Sequence, residues 1–214
     1  MRFLRNNGLS LVVIGLFLLT YLGGQVFTGW HTYNTERTDH HEPALTLPRY
    51  LISAHFVEAT AENWESEFLQ MFIYVYITVF LFQKGSAESN DPDEPKKARR
   101  VTSESPWPVR RGGIWKSLYG HSLSLAFAVM FLISFSIHAC SSVRLENEGR
   151  ARLGHAAVTL AEHLGGASFW FESFKNWQSE FLAIGSMIVL SIYLREKGSP
   201  ESKDVEAPHA ETGG

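Results

Sequence analysis

The stretch Asn63-Trp64-Glu65-Ser66-Glu67-Phe68-Leu69 returns almost unchanged as Asn176-Trp177-Gln178-Ser179-Glu180-Phe181-Leu182, 113 residues further on. The same offset relates Gln83-Lys84-Gly85-Ser86-Ala87-Glu88-Ser89 to Glu196-Lys197-Gly198-Ser199-Pro200-Glu201-Ser202. In each copy an apolar run separates the two elements, so the chain reads as a duplication. Any fold it adopts must build two like units, each with a glutamate where water meets a hydrophobic helix.

Four apolar runs set the fold class. Residues 9–27 hold no charge and follow a short basic start with Arg2 and Arg5. As a helix they would be roughly 28 Å long, close to the thickness of a bilayer core. A cleaved secretory signal is the other reading, but no small-x-small pattern follows the run and three further runs do. Thr20, Gly24 and Thr28 fall four apart, a spacing that lets helices approach closely in lipid. Residues 117–143 form a second long stretch without Lys, Arg, Asp or Glu, with His121 and His138 near its ends. The runs at 68–83 and 181–194 fall short of the roughly 20 residues a spanning helix needs. Extending each back to Trp64 and Trp177 restores the length and puts each indole in the interfacial belt it favours. Glu67 and Glu180 then lie about one helical turn inside the boundary.

This gives a first repeat at 1–89, with spans at about 9–28 and 64–83 and an outer connector at 29–63. A linker covers 90–116. The second repeat covers 117–203, with spans at about 118–140 and 177–195 and a connector at 141–176, and a tail covers 204–214. The linker and tail are too polar to bury a core, which predicts disorder. In the first connector, 31–42 reads as irregular. Leu47, Leu51, Ala54, Val57, Ala61, Trp64 and Phe68 then recur with helical period. The second connector reads as helix over 153–164, a break at Gly165-Gly166, and an interfacial anchor of Phe169, Trp170, Phe171 and Phe174. Thirteen Lys and Arg fall in the N-terminus, linker and C-terminal end against six in the connectors. Positive segments stay cytoplasmic, so both termini and the linker are placed inside. The predicted fold is all-α: an integral membrane protein of four transmembrane helices, two parallel two-helix repeats with helical extracytoplasmic connectors.

The repeated Asn-Trp-x-Ser-Glu-Phe-Leu and Lys-Gly-Ser-x-Glu-Ser elements, in this four-span order, resemble a bacterial family of small membrane proteins known as a domain of unknown function. The resemblance covers nearly the whole chain. It implies a bacterial inner-membrane, multi-pass protein and supplies no activity or substrate.

The candidate site residues are those of the repeated motif: Asn63, Trp64, Ser66 and Glu67, with Asn176, Trp177, Ser179 and Glu180. Ionisable groups inside a membrane often mark ion or proton paths. The competing reading makes Glu67 and Glu180 first-turn residues favoured by the helix dipole, with Ser66 or Ser179 helping to cap. Nine histidines invite a metal, but His31, His40, His41, His55, His155 and His163 lack the tight spacing of a zinc pair. Hence no metal or cofactor is predicted. The single cysteine, Cys140, excludes an internal disulfide and reads as a packing residue. No nucleophile elbow, phosphate loop or Cys-x-x-Cys is present, which argues against an enzyme. A net charge of −3 argues against nucleic acid. The basic cluster from Lys96 to Arg100 reads chiefly as a topology signal. The expected function is a non-enzymatic envelope structural or interaction protein. Its partners would be the bilayer and either a second copy or another membrane protein. The alternative is a small ion- or proton-conducting protein using Glu67 and Glu180.

Overall fold

The structure is a computed structural model that describes residues 2–93 and 100–213, and its regular elements are all helical among those residues. Residues 94–99, which include Lys96, Lys97 and Arg99 of the basic cluster, lie outside the described residues. Helix α1 (Arg2–Leu19) passes directly into a π-helical stretch, Thr20–Thr28, and then into α2 (Gly29–Asp39). The wider π turns serve their carbonyls less well. Threonine hydroxyls take up part of that capacity: Thr20 Oγ1 donates to Leu16 O at 2.9 Å, and Thr28 Oγ1 donates to Gly24 O. There follow α3 (Leu47–Tyr50), α4 (Ala54–Ile77), α5 (Trp107–Arg111), α6 (Gly113–Gly120), α7 (Ser122–Arg152), α8 (Leu160–Gly165) and α9 (Ala167–Tyr193).

Two stretches, Phe3–Asp39 and Ser122–Arg152, are long and apolar enough to cross a membrane. Leu9, Leu19, Leu132 and Ile133 along them are exposed. A continuous apolar surface of that size is costly in water and favourable in lipid.

Several boundaries differ from the sequence reading. Residues 31–39 are helical rather than irregular, because no Gly or Pro interrupts the helix between Trp30 and Glu42. Residues 153–159 are not helical, because α7 stops at Arg152. Helix α4 ends at Ile77, short of 83, and α9 starts ten residues before Trp177. Helices α5 and α6 occupy the end of the stretch read as linker, where Arg111 sits over the rings of Trp107 and Trp115 at 5.1 and 5.3 Å.

The described chain divides into two compact units, Met1–Glu62 with Phe135–Phe169, and Asn63–Ser134 with Trp170–Gly214. In the first, α2 and α7 are stopped in the same way. His41 takes a left-handed φ of 59° and Gly154 one of 73°. The following N–H groups close the helix ends, Glu42 N donating to Arg37 O at 2.8 Å and His155 N to Arg150 O at 2.9 Å. An asparagine then clasps the returning strand of chain. Asn34 accepts from Leu45 N at 2.7 Å and donates to Leu45 O at 2.9 Å. Asn147 does the same to Val158 at 2.8 and 2.9 Å. The guanidinium groups follow suit, Arg37 donating to Pro43 O at 3.0 Å and Arg150 to Ala156 O at 2.6 Å. Each residue of the first set lies 113 residues before its counterpart in the second.

The same unit packs Val26, Tyr33, Tyr50 and Phe56 into a core. Tyr50 lies edge-on to Phe56 at 5.2 Å and reaches back to α2. Its hydroxyl passes so close to Gly29 that a Cβ there would stand 2.4 Å from it. Because Tyr50 is held by Tyr33 and Phe56, it cannot simply swing away. Gly29→Ala is therefore expected to lower stability by about 1–3 kcal/mol. A fall in melting temperature in detergent, largely recovered by adding Tyr50→Phe, would bear this out. Gly15→Ala, whose Cβ would meet nothing within 4 Å, should leave the melting temperature unchanged.

Candidate functional site

The repeated motif lies in the interior of its helices. Glu67 and Glu180 come several turns after the first residues of α4 and α9, Ala54 and Ala167. At that distance the dipole of the helix start no longer favours a carboxylate, since the effect fades within the first turn. Ser66 and Ser179 do not cap helices either. Each hydroxyl donates backwards within its own helix, Ser66 Oγ to Asn63 O at 2.9 Å and Ser179 Oγ to Asn176 O at 2.8 Å. Asn63, Trp64 and Glu67 are exposed, whereas Asn176, Trp177 and Glu180 are half-buried.

The buried carboxylate of the motif is Glu65, 1% exposed, and it accepts from Trp177 Nε1 at 3.0 Å. Gln70 Nε2 donates to Glu180 O at 2.9 Å. The two copies of the motif are thus joined inside the second unit by two side chains that were not among the expected site residues. Their partners lie more than a hundred residues away, and no local pattern marks them. The position equivalent to Glu65 is Gln178, which is exposed. Phe131 and Phe174 meet the Trp177 ring edge-on at 6.5 and 5.3 Å, which fixes the indole in place. Of the aromatics expected to form an interfacial anchor, Phe169 is instead fully buried, while Trp170 stacks toward Phe174 at 5.6 Å.

The second repeated element forms matching turns. Gln83 N donates to Ser89 Oγ and Glu196 N to Ser202 Oγ, both at 2.9 Å. Ser86 and Ser191, both buried, share a hydrogen bond of 2.9 Å. Glu88 hydrogen-bonds Glu201, and that contact with a like charge raises the Glu201 carboxyl above the usual range. Lys203 is 2% exposed, with Nζ within 2.5–3.3 Å of the carbonyls of Gly85, Pro208, His209 and Glu211. Burial, helped by Arg195, lowers its pKa. The stretch read as a disordered tail is therefore wrapped around an ammonium group, a partner that composition does not reveal.

The first unit holds three polar clusters. Glu42 joins Arg37 at 2.8 Å and Arg152 at 2.7 Å. His163, 6% exposed, is bonded to Ser142 at 2.9 Å and through Nδ1 to Glu146, which also faces Arg150 at 3.6 Å. The third cluster gathers Glu58 and Glu62 of α4 with His138 of α7, their donor atoms all within 4.8 Å of one another. Among the described residues it is the one group of three possible metal ligands. Of its members, sequence reading noted only His138, as a residue near the end of an uncharged run. The connector histidines do not assemble into such a group, and His55 stacks on Tyr33 at 4.4 Å. Burial lowers the His55 pKa, against the opposing pull of Glu36 and Glu148.

A family model described as a domain of unknown function (DUF6766) matches residues 1–214. No curated protein and no solved structure matches the chain.

The Glu65–Trp177 bond generates a graded expectation. Glu65→Leu removes the acceptor from a half-buried indole N–H and should cost about 1–3 kcal/mol. Glu65→Gln keeps an oxygen acceptor and should cost less than half of that. Denaturant unfolding of the detergent-solubilised protein, followed by tryptophan emission, measures both. Equal losses from the two substitutions would mean that the charge, not the acceptor, matters.

Proposed function

We propose that this chain, which belongs to the DUF6766 family of domains of unknown function, is a four-span bacterial inner-membrane protein that works by binding rather than by catalysis. The observation that carries the reading is the exposed apolar surface of Phe3–Asp39 and Ser122–Arg152, which asks for lipid. Further support comes from exposed apolar side chains on the other two proposed spans, Tyr76 in α4 and Leu182, Leu190 and Tyr193 in α9. Ile114, Trp115 and Leu118 of α6 are exposed as well, as an interfacial segment would require. The Lys and Arg distribution supports a cytoplasmic position for the termini and the linker.

Recurrence of the helix stops, asparagine clasps and serine turns at a 113-residue offset supports two like-oriented repeats. The polar groups in both units are largely spent on internal bonds: Glu65 on Trp177, Glu42 on two arginines, Lys203 on backbone carbonyls. Such side chains stiffen a scaffold. On this reading the connectors form the binding surface, and the partner is a second copy or another membrane protein.

Proteoliposome flux separates this reading from an ion conduit. Wild-type protein is expected to pass no cations or protons above empty vesicles, and crosslinkers placed at exposed connector positions such as Asp39 should capture protein neighbours in the native membrane. Flux in the wild type that disappears in a folded Glu67→Gln, Glu180→Gln variant would replace the binding role with conduction.

A further inference from the structure

We propose that Glu58, Glu62 and His138 form a binding site for one divalent first-row transition-metal ion, tying α4 to α7 within the first unit. Glu58 and Glu62 are one helical turn apart on the same face of α4, and His138 reaches them from α7. His138 is fully buried and Glu58 is 9% exposed. His138 Nε2 stands 3.9 Å from Glu58 Oε1, an ion-pair separation rather than a hydrogen bond. The imidazole is steadied from the side by Phe169, whose ring centroid is 4.8 Å away.

Two carboxylates brought this close together repel each other. A divalent cation balances both and accepts the imidazole nitrogen as a third donor. The donor set narrows the ion: imidazole suits zinc, copper, iron or nickel better than calcium or magnesium. Donors bound at about 2.0–2.2 Å lie roughly 3–3.5 Å apart in a tetrahedral site. The donors, now within 4.8 Å of one another, would draw in to that spacing on binding. Three protein ligands leave a position for water or a fourth group.

The repeat supplies an internal comparison. The positions 113 residues away from these three are Phe171, Lys175 and Gln25. One is apolar, one cationic and one neutral, so the ligand-type side chains are not demanded by the packing of the repeat. They occur together once.

The test uses the full chain, purified in detergent without a polyhistidine tag, stripped with chelator and titrated with Co²⁺. Visible ligand-field bands should grow to saturation at one equivalent per chain and be displaced by Zn²⁺, and Zn²⁺ should raise the melting temperature. Glu62→Gln and His138→Gln should each weaken Co²⁺ binding at least tenfold and abolish the thermal shift, with helical circular dichroism unchanged. His155→Gln should bind as the wild type does. Should His138→Gln fail to fold, Glu62→Gln, at a less buried position, decides alone. Absence of Co²⁺ bands in the wild type, or wild-type affinity in folded Glu62→Gln, would overturn the site.

Discussion

The structure depends on how the chain turns back after a long apolar helix. Backbone N–H and C=O groups at such a reversal need partners, and none is supplied by a neighbouring strand. Asn34 and Asn147 answer this with one amide each, holding both backbone groups of Leu45 and Val158. Each clasp contributes two hydrogen bonds, of about 0.5–1.5 kcal/mol apiece. More importantly, it sets the course along which the next helix must start. The left-handed residue before it, His41 or Gly154, ends the outgoing helix and turns the chain toward the clasp.

Around this shared framework the two halves diverge, and the divergence carries the chemistry. Tyr50 fills the space over Gly29, whereas its counterpart His163 takes part in a polar cluster with Ser142 and Glu146. Glu65 is buried against an indole, whereas its counterpart Gln178 faces out. Glu58, Glu62 and His138 converge, and their counterparts share no ligand chemistry. The clasps and helix stops recur at the 113-residue offset, and these positions do not.

Features governed by local chemistry were legible in the sequence. Uninterrupted apolar runs mark α1 and α7, whereas the start of α8 was read seven residues too early although Thr159 and Glu162 form a capping box there. The end of α2 was missed because polar residues such as Thr35 and Arg37 read as loop, although nothing in them breaks a helix. What depends on distant partners was not legible. Glu65 resembles its exposed neighbour Glu67 until Trp177 is placed beside it, and Lys203 looks like an ordinary tail residue until four carbonyls close around it. Glu67 and Glu180 drew attention because the motif repeats them, yet burial favoured the residue two positions earlier in the first copy.

The central proposal is that α4 and α9, which carry the motif glutamates, cross the membrane together with the two long apolar stretches Phe3–Asp39 and Ser122–Arg152. Reporter fusions placed after residues 42, 92, 155 and 210, each assayed for activity inside and outside a bacterial cell, test it most directly. The account predicts that the fusions after 42 and 155 report from outside, and those after 92 and 210 from the cytoplasm. A fusion after 92 on the same side as that after 42 would contradict it, since α4 would then lie along the membrane without crossing it.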